Sequence, residues 1–220
     1  MKKYFLIVSI FLNIIGIAAF AILKNRATQK TDKKPGFMLK RNELYKLFPV
    51  NKTSKVFVGD SQIQFFNLNE FFSDTTIKNR GIIGDVTGGL LIRLQDILKD
   101  KPRKIFLQIG VNDFWNERSS VSQCIKNYKE IFRQIKLQSP QTSVYSHSIL
   151  PTKLVVADTI IKCNKELEKL CITNDVTYIN IYPLFNDGGK LKSQFDCGDG
   201  VHLSANGYIT WKKALTPYIL

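Results

Sequence analysis

Apolar positions along this chain switch between two periods. From about residue 55 onward, short continuous apolar runs end in glycine or polar residues, and the stretches between them repeat every three to four residues. Val56-Phe57-Val58 runs into Gly59, and Lys104 to Ile109 runs into Gly110. Thr76 to Asn79, Ser143 to Ser146 and Val176 to Ile181 are three further strand candidates. Leu90, Leu91, Leu94, Ile97 and Leu98 form one helical stripe, and Ile125, Tyr128, Ile131, Phe132 and Ile135 a second. Ile160, Ile161, Asn164, Leu167, Leu170 and Cys171 form a third, with Asn164 its polar exception, and Ala205 to Tyr218 closes the chain behind a candidate N-cap, Ser204. Five strands alternating with helices predict an α/β domain: a three-layer sandwich around a mostly parallel five-stranded sheet. Ligands of such sheets sit at the carboxyl ends of the strands, which is where Ser61, the Gly84 region, Asn112 and the segment after Ile181 fall.

The first 50 residues follow another pattern. Tyr4 to Leu23 carries no charge and, at ~20 residues, is long enough to cross a hydrocarbon core of ~30 Å as a helix. Lys2 and Lys3 precede it, and Ala19-Phe20-Ala21 has the small-x-small form of a signal-peptidase site, but the run exceeds the usual length of a cleavable signal. The expectation is a membrane anchor through residues 4–23 in a bacterial inner membrane, with the domain in the periplasm or cell envelope. A cleaved signal with secretion, and a buried helix, are the alternatives. Lys24, Arg26, Lys30, Lys33 and Lys34 count against export, whereas a short positive N-terminus ahead of such a run favours it. Residues 24–52 read as a basic tether with a short amphipathic helix near Leu39 to Phe48. The expected division is thus 1–23, 24–52 and a catalytic-type domain over 53–220.

Composition narrows the function classes. A chain of 220 residues, 44% hydrophobic and 23% charged, can bury one substantial core. The net charge of +14 is concentrated at the start: residues 1–40 hold eight basic residues and one acid, leaving a moderate +7 for the rest. No basic run is interleaved with aromatics, so nucleic acid is not an expected partner, and a solvated basic face near anionic lipid accounts for the excess. Cys124, Cys163, Cys171 and Cys197 show neither Cys-x-x-Cys spacing nor a histidine at metal-site spacing, so no metal or other cofactor is expected. Cys163 and Cys171 read as core thiols. A disulfide stays open, because pairing depends on geometry.

Four short blocks carry residue types suited to acyl chemistry. Ser61 follows the first strand by two residues, where a strand-to-helix turn exposes a hydroxyl and presents backbone N–H groups. It lacks the Gly-x-Ser-x-Gly form of a nucleophile elbow, since Ile63 takes the last place, and alone it reads first as an ordinary capping serine. Gly81-Ile82-Ile83-Gly84-Asp85 permits a tight turn that directs an N–H into a cleft, with Asp85 bracing the loop, or is a plain turn with Asp85-Val86-Thr87 as a cap. Asn112, in Gly110-Val111-Asn112-Asp113, offers an amide donor to an oxyanion or forms a turn, and Phe114 and Trp115 after it are core residues or an apolar wall. Asp199-Gly200-Val201-His202 sets an acid three residues before a base, just ahead of the last helix. His147, the other histidine, has no acid near it in sequence and is expected to pack beside the cleft.

Taken together and in order, Gly59-Asp60-Ser61, Gly84 in its loop, Gly110-Val111-Asn112-Asp113 and Asp199-Gly200-Val201-His202-Leu203 resemble the SGNH (GDSL-type) serine esterase family over roughly residues 53–219. Ser148-Ile149-Leu150-Pro151 and Asn206-Gly207-Tyr208 are similar to the branch that includes platelet-activating-factor acetylhydrolase. The resemblance implies a flavodoxin-like SGNH hydrolase fold, a Ser61 nucleophile, a His202 base and an Asp199 orienting acid. It also implies an oxyanion hole from the Ser61 and Gly84 N–H groups and the Asn112 side chain. Gln62 replaces the family's usual leucine after the serine, which is expected to alter the lip of the cleft. The implied activity is hydrolysis of carboxylic esters, short-chain or O-acetyl, on a small molecule, a lipid or an acylated polysaccharide. A lipid-acting acylhydrolase walled by Phe65, Phe66, Phe114 and Trp115, and a non-catalytic binding protein on the same fold, are the other two readings.

Overall fold

Strand β1, Lys55–Gly59, lies between two parallel neighbours: β2, Ile77–Gly81, on one side and β3, Lys104–Gln108, on the other. Strands β4, Ser143–His147, and β5, Thr177–Ile179, continue the sheet beyond β3, giving the order β2-β1-β3-β4-β5 with every pairing parallel. The structure, a computed structural model, describes the backbone of residues 36–219 and the side chains of 40–219. The chain divides into two compact units, Met1–Leu39 and Lys40–Leu220; of the first, only residues 36–39 are described, as the start of a helix.

The helices are α1 (Gly36–Leu47), α2 (Ser61–Gln64), α3 (Leu68–Phe72), α4 (Thr87–Leu98), α5 (Val111–Phe114), α6 (Val121–Gln138), α7 (Ala157–Thr173), α8 (Tyr182–Phe185) and α9 (Ala205–Ile219). Two apolar layers sandwich the sheet, because alternate residues of a strand point to opposite faces. Val56, Val58, Ile105 and Leu107 pack with the stripes of α4, α6 and α7, while Phe57, Phe106 and Ile179 pack with Phe66, Leu68 and the α9 residues Tyr208, Trp211 and Leu215. The expected three-layer α/β sandwich with a five-stranded parallel sheet is therefore the observed fold. Ser204 starts α9 as expected, its hydroxyl 3.4 Å from the Gly207 N–H. A two-residue hairpin, β6 (Asn186–Asp187) with β7 (Lys190–Leu191), precedes the segment that leads to His202.

Strand order reverses between β1 and β3, and this is where an open α/β sheet leaves a crevice at its carboxyl edge. Two glycines make the crevice tight. A Cβ on Gly59 would lie 2.1 Å from the Gln108 carbonyl oxygen, and one on Gly81 would lie 2.2 Å from the Gln64 amide nitrogen. Helix α2, which starts at Ser61, can therefore seat directly on the end of the sheet.

The expected membrane anchor is corrected. Among the described residues no helix is long and apolar enough to cross a membrane. The longest, α6, has 18 residues but carries Lys126, Lys129, Glu130, Arg133 and Lys136, so it covers the sheet with one face and meets water with the other. The membrane as partner and the inner-membrane or envelope location expected from residues 4–23 are set aside with it; residues 1–35, on which the anchor and the start of the tether were read, lie outside the described residues. The short helix expected near Leu39 to Phe48 is present as α1, but it is not amphipathic in the expected sense: Leu44, Leu47 and Phe48 are exposed, and Asn42 and Tyr45 make the contacts.

Candidate active site

The turn after β1 is organised by Asp60. Its Oδ1 accepts the Gln62 N–H at 3.0 Å and caps α2, which places Ser61 as the first helical residue. Ser61 is 5% exposed, enough for its hydroxyl to face the crevice while its backbone is fixed. Among the described residues, no protein acceptor takes the Ser61 N–H.

The loop before α9 delivers the histidine. Asp199 Oδ1 accepts the N–H groups of Val201 and His202, each at 2.8 Å, and its Oδ2 lies 2.6 Å from His202 Nδ1. His202 Nε2 lies 2.9 Å from Ser61 Oγ. Partial burial works against the Asp199 charge, but the hydrogen bonds from His202 and Val201 outweigh it and hold the carboxyl well below the usual carboxylate range. Gly200, at φ +72°, lets the loop reverse in little space, with the Lys153 side chain packed against it. Its carbonyl accepts the Lys153 N–H at 2.9 Å and the Thr152 hydroxyl at 3.1 Å, tying the loop to the segment after β4. This arrangement can move a proton from Ser61 Oγ to an imidazole whose other nitrogen faces a carboxylate.

On the opposite side, Ile82 to Asp85 form a turn closed by the Asp85 N–H to the Ile82 carbonyl at 3.1 Å. Gly84, third in that turn, has φ +70°, which a type II turn requires and a side chain resists. The Gly84 N–H has no protein acceptor among the described residues. Asn112, in the turn of helix after β3, donates one amide hydrogen to the Asp85 carbonyl at 3.0 Å, and the amide has a second hydrogen to donate. Ser61, Asp199, His202, Gly84 and Asn112, the five residues singled out from the sequence, thus lie on segments that meet at one carboxyl edge.

Several supporting residues escaped the sequence reading. Arg93 and Asp85, each 3% exposed, pair at 2.8 Å, and the same guanidinium donates to the carbonyls of Arg80 and Gly59 at 2.9 and 3.2 Å. Asp85 therefore braces the glycine loop through Arg93. The Thr87 cap is supplied by Asp113, which accepts the Thr87 N–H at 2.9 Å and its hydroxyl at 2.5 Å. Gln62 is buried rather than at a lip: its amide donates to the Val201 carbonyl, and its own carbonyl accepts the Tyr208 hydroxyl at 3.0 Å, which links the serine turn to the histidine loop. The four aromatics split. Phe66 and Phe114 belong to the core, Trp115 is 38% exposed beside Arg118, and Phe65, 46% exposed, sets its ring edge-on to His202 at 5.2 Å.

His147 does not face this site. It is fully buried between Phe106 and Trp211, neither ring nitrogen has a protein partner, and burial pushes its pKa down to about 3. Cys124 and Cys163 are buried free thiols with their sulfurs 3.9 Å apart, and Cys171 is buried too, as core thiols should be. Asp196, Cys197 and Asp199 bring ligand atoms within 4.8 Å of one another, but the Asp196 carboxylate accepts the Gly198 and Gly200 N–H groups while Asp199 serves His202. That cluster shapes the loop.

Comparison with known proteins agrees with this geometry. The family model described as GDSL-like Lipase/Acylhydrolase matches residues 65–208, which takes in Gly84, Asn112, Asp199 and His202 and begins just after Ser61. Among solved structures, a protein from Streptococcus pneumonia whose name refers to platelet activating factor is 28% identical, with TM-score 0.75 over 93% of this chain and 99% of its own. A GDSL-like lipase from Bacteroides thetaiotaomicron (21% identity, TM-score 0.73, 82% and 96% covered) shares the fold. So does an acetylxylan esterase from Geobacillus stearothermophilus (14%, TM-score 0.62, 78% and 96%). Comparison with curated proteins gave no match. With well over half its length matched, the chain belongs to the GDSL-like lipase/acylhydrolase (SGNH) family and is an ester-cleaving serine hydrolase.

Proposed function

We propose that Ser61 is the nucleophile, His202 the general base and Asp199 its orienting acid, and that the substrate is a carboxylic ester with a short acyl group such as acetyl. The observation that carries this reading is the unbroken chain Asp199 Oδ2, His202, Ser61 Oγ at 2.6 and 2.9 Å. Ser61 Oγ attacks the ester carbonyl as His202 Nε2 takes its proton, giving a tetrahedral oxyanion. The oxyanion accepts from the Ser61 and Gly84 N–H groups and the unused Asn112 amide hydrogen. Collapse breaks the bond to the alkoxide, which leaves with the proton from His202. Water, deprotonated by His202, then attacks the acyl-enzyme; its breakdown returns that proton to Ser61 and frees the acid.

A small acyl group suits a serine only 5% exposed, with the Phe65 ring edge-on to His202 beside it. The lipid-acting reading loses two of its four aromatic walls, since Phe66 and Phe114 are core. The test is hydrolysis of aryl esters of increasing acyl length by the full chain, by Ser61→Ala and by His202→Ala. Activity in the parent alone, highest on acetate, is expected; equal rates in all three exclude the site. Asn112→Ala should lower kcat by about a hundredfold, the usual loss for one oxyanion donor. Fluorophosphonate labelling confined to Ser61 separates an enzyme from a binding protein on this fold.

A further inference from the structure

Helix α1 precedes every residue matched by the family, yet it holds the loop that carries Gly84. The Tyr45 hydroxyl donates to the Gly81 carbonyl at 2.5 Å, and Arg41 Nε donates to the phenol oxygen at 2.9 Å. The guanidinium groups of Arg41 and Arg80 lie over the Tyr45 ring at 5.0 and 4.8 Å, and Arg80, itself buried, donates to the Phe48 carbonyl just after α1. Tyr45 is thus fixed in ring and hydroxyl alike, and its one outgoing bond ends on the backbone of the loop.

That bond falls where the loop leaves the sheet. Three successive carbonyls are oriented by three different elements: Arg80 by Arg93 of α4, Gly81 by Tyr45 of α1, and Ile82 by the Asp85 N–H of its own turn. The two amides that follow Gly81 are spoken for as well, Ile82 by the Gly59 carbonyl at 3.0 Å and Ile83 by the Gln64 side chain at 2.9 Å. The Gly84 N–H is the next, and it is the one left free. Because a Cβ at Gly81 would collide with Gln64 and Ile63, Gly81 also packs directly on the helix that begins with Ser61. The Gly81 carbonyl is thus the point at which α1 joins the set of bonds that fixes the turn carrying the Gly84 N–H.

We propose that Tyr45 is a positioning residue for the oxyanion hole, acting through the Gly81 carbonyl on the Gly84 N–H; this rests on the reading of Gly84 as an oxyanion donor. Tyr45 touches neither substrate nor reacting atoms. Its contribution belongs to the transition state, because the Gly84 N–H gains its partner only as charge develops on the carbonyl oxygen.

The experiment compares the full chain with Tyr45→Phe, Arg41→Ala and Asn42→Ala, measuring kcat and KM on an aryl acetate and the affinity for an alkylboronic acid, whose serine adduct mimics the tetrahedral intermediate. Tyr45→Phe keeps the ring and removes the donor. It should lower kcat about fivefold, the factor for one ordinary hydrogen bond felt at the transition state, with KM unchanged and boronate affinity lowered to match. Arg41→Ala, which frees the hydroxyl rotor, should give a smaller fall of the same kind. Asn42→Ala removes one of the two contacts of α1 with Asp96 of α4, the other being Lys46 at 3.6 Å, and should leave kcat and boronate affinity as they were. The proposal is overturned if Tyr45→Phe keeps kcat within twofold, or if Asn42→Ala falls as far, since helix docking alone then explains the loss. Ser61→Ala separates the two failures: if it stays active the site reading falls, and if it is inactive while Tyr45→Phe is unimpaired only the Tyr45 role falls.

Discussion

The two histidines, one inside the apolar layer between the sheet and α9 and one in the loop ahead of α9, are treated in opposite ways. His202 lies in the loop ahead of α9, part exposed, with one ring nitrogen against Asp199 and the other against Ser61. His147 ends β4, fully buried among Phe106 and Trp211, with no protein partner on either nitrogen. The acids of the two regions differ in the same sense. Asp199 keeps its charge because three N–H donors face it, whereas burial drives the Asp60 pKa up to about 7, opposed by the backbone N–H groups of Gln62 and of Asp60 itself and reinforced by Asp85 and Asp113. Residue type is the same across the comparison, so the donors and the solvent decide which acid keeps its charge and which histidine is held neutral.

The largest effect should come from exchanging the partners for nothing. His202→Ala removes the base and should cut kcat by 10³-fold or more, roughly what is lost when one member of such a relay is deleted. His147→Phe, which fills the same space beside Phe106 and Trp211, should leave kcat within about threefold, since the ring offers no proton path. Steady-state rates on one aryl acetate decide this. A His147→Phe enzyme as inactive as His202→Ala would break the contrast, and place the buried histidine in the machinery.

A smaller effect should appear at Gln62, the strut between the two regions. Gln62→Leu restores the residue usual in the family but leaves the Val201 carbonyl without its donor, so kcat should fall about 3- to 10-fold with KM little changed. The result expected of a mere lip residue, a changed KM at constant kcat, would return Gln62 to the edge of the cleft.

The strands were legible because a parallel strand covered on both faces needs an apolar centre, as Val56-Phe57-Val58 in β1 and Ile105-Phe106-Leu107 in β3 supply, and Gly59 and Gly110 mark where the chain turns at the carboxyl edge of the sheet. The meeting of Asp199, His202 and Ser61 was legible for a different reason: Asp199 and His202 are three apart in sequence, and Ser61 is pinned by its strand. What stayed hidden depends on which polar groups pair. The helical period puts Arg93 on the buried face with Leu90 and Ile97 but names no partner for its charge; Asp85, in the loop leading into the same helix, is that partner. Tyr45 and Gln62 act through backbone carbonyls, which leave no mark on sequence pattern. The hairpin of β6 and β7 and the five-residue α3 are too short for either period to show.

The finest test of the contrast uses stability instead of rate. Asp60 binds its proton more tightly folded than unfolded, with a pKa raised from 3.8 to about 7, so between those values the folded state holds more protons and stability falls as pH rises. His147, lowered from 6.5 to about 3, is neutral in the fold while the unfolded chain protonates, so across pH 3 to 6.5 stability rises with pH. Asp113, raised mainly by burial, adds to the Asp60 sense, whereas Asp74 and Asp199, both lowered, lose their contribution only as pH falls through about 4 and below. From about pH 4.5 to 6 His147 therefore opposes Asp60 and Asp113, and the parent protein should show a smaller slope than a variant that keeps only one side of that opposition. Removing one should unmask the other: Asp60→Asn should gain stability as pH rises and His147→Phe should lose it, each with a slope approaching about 1 kcal/mol per pH unit. Urea denaturation at three pH values across that window reads both slopes. Curves for the variants that run parallel to the parent would mean that Asp60 and His147 exchange protons with solvent as freely as surface groups, and the division between the two regions would then rest on geometry alone.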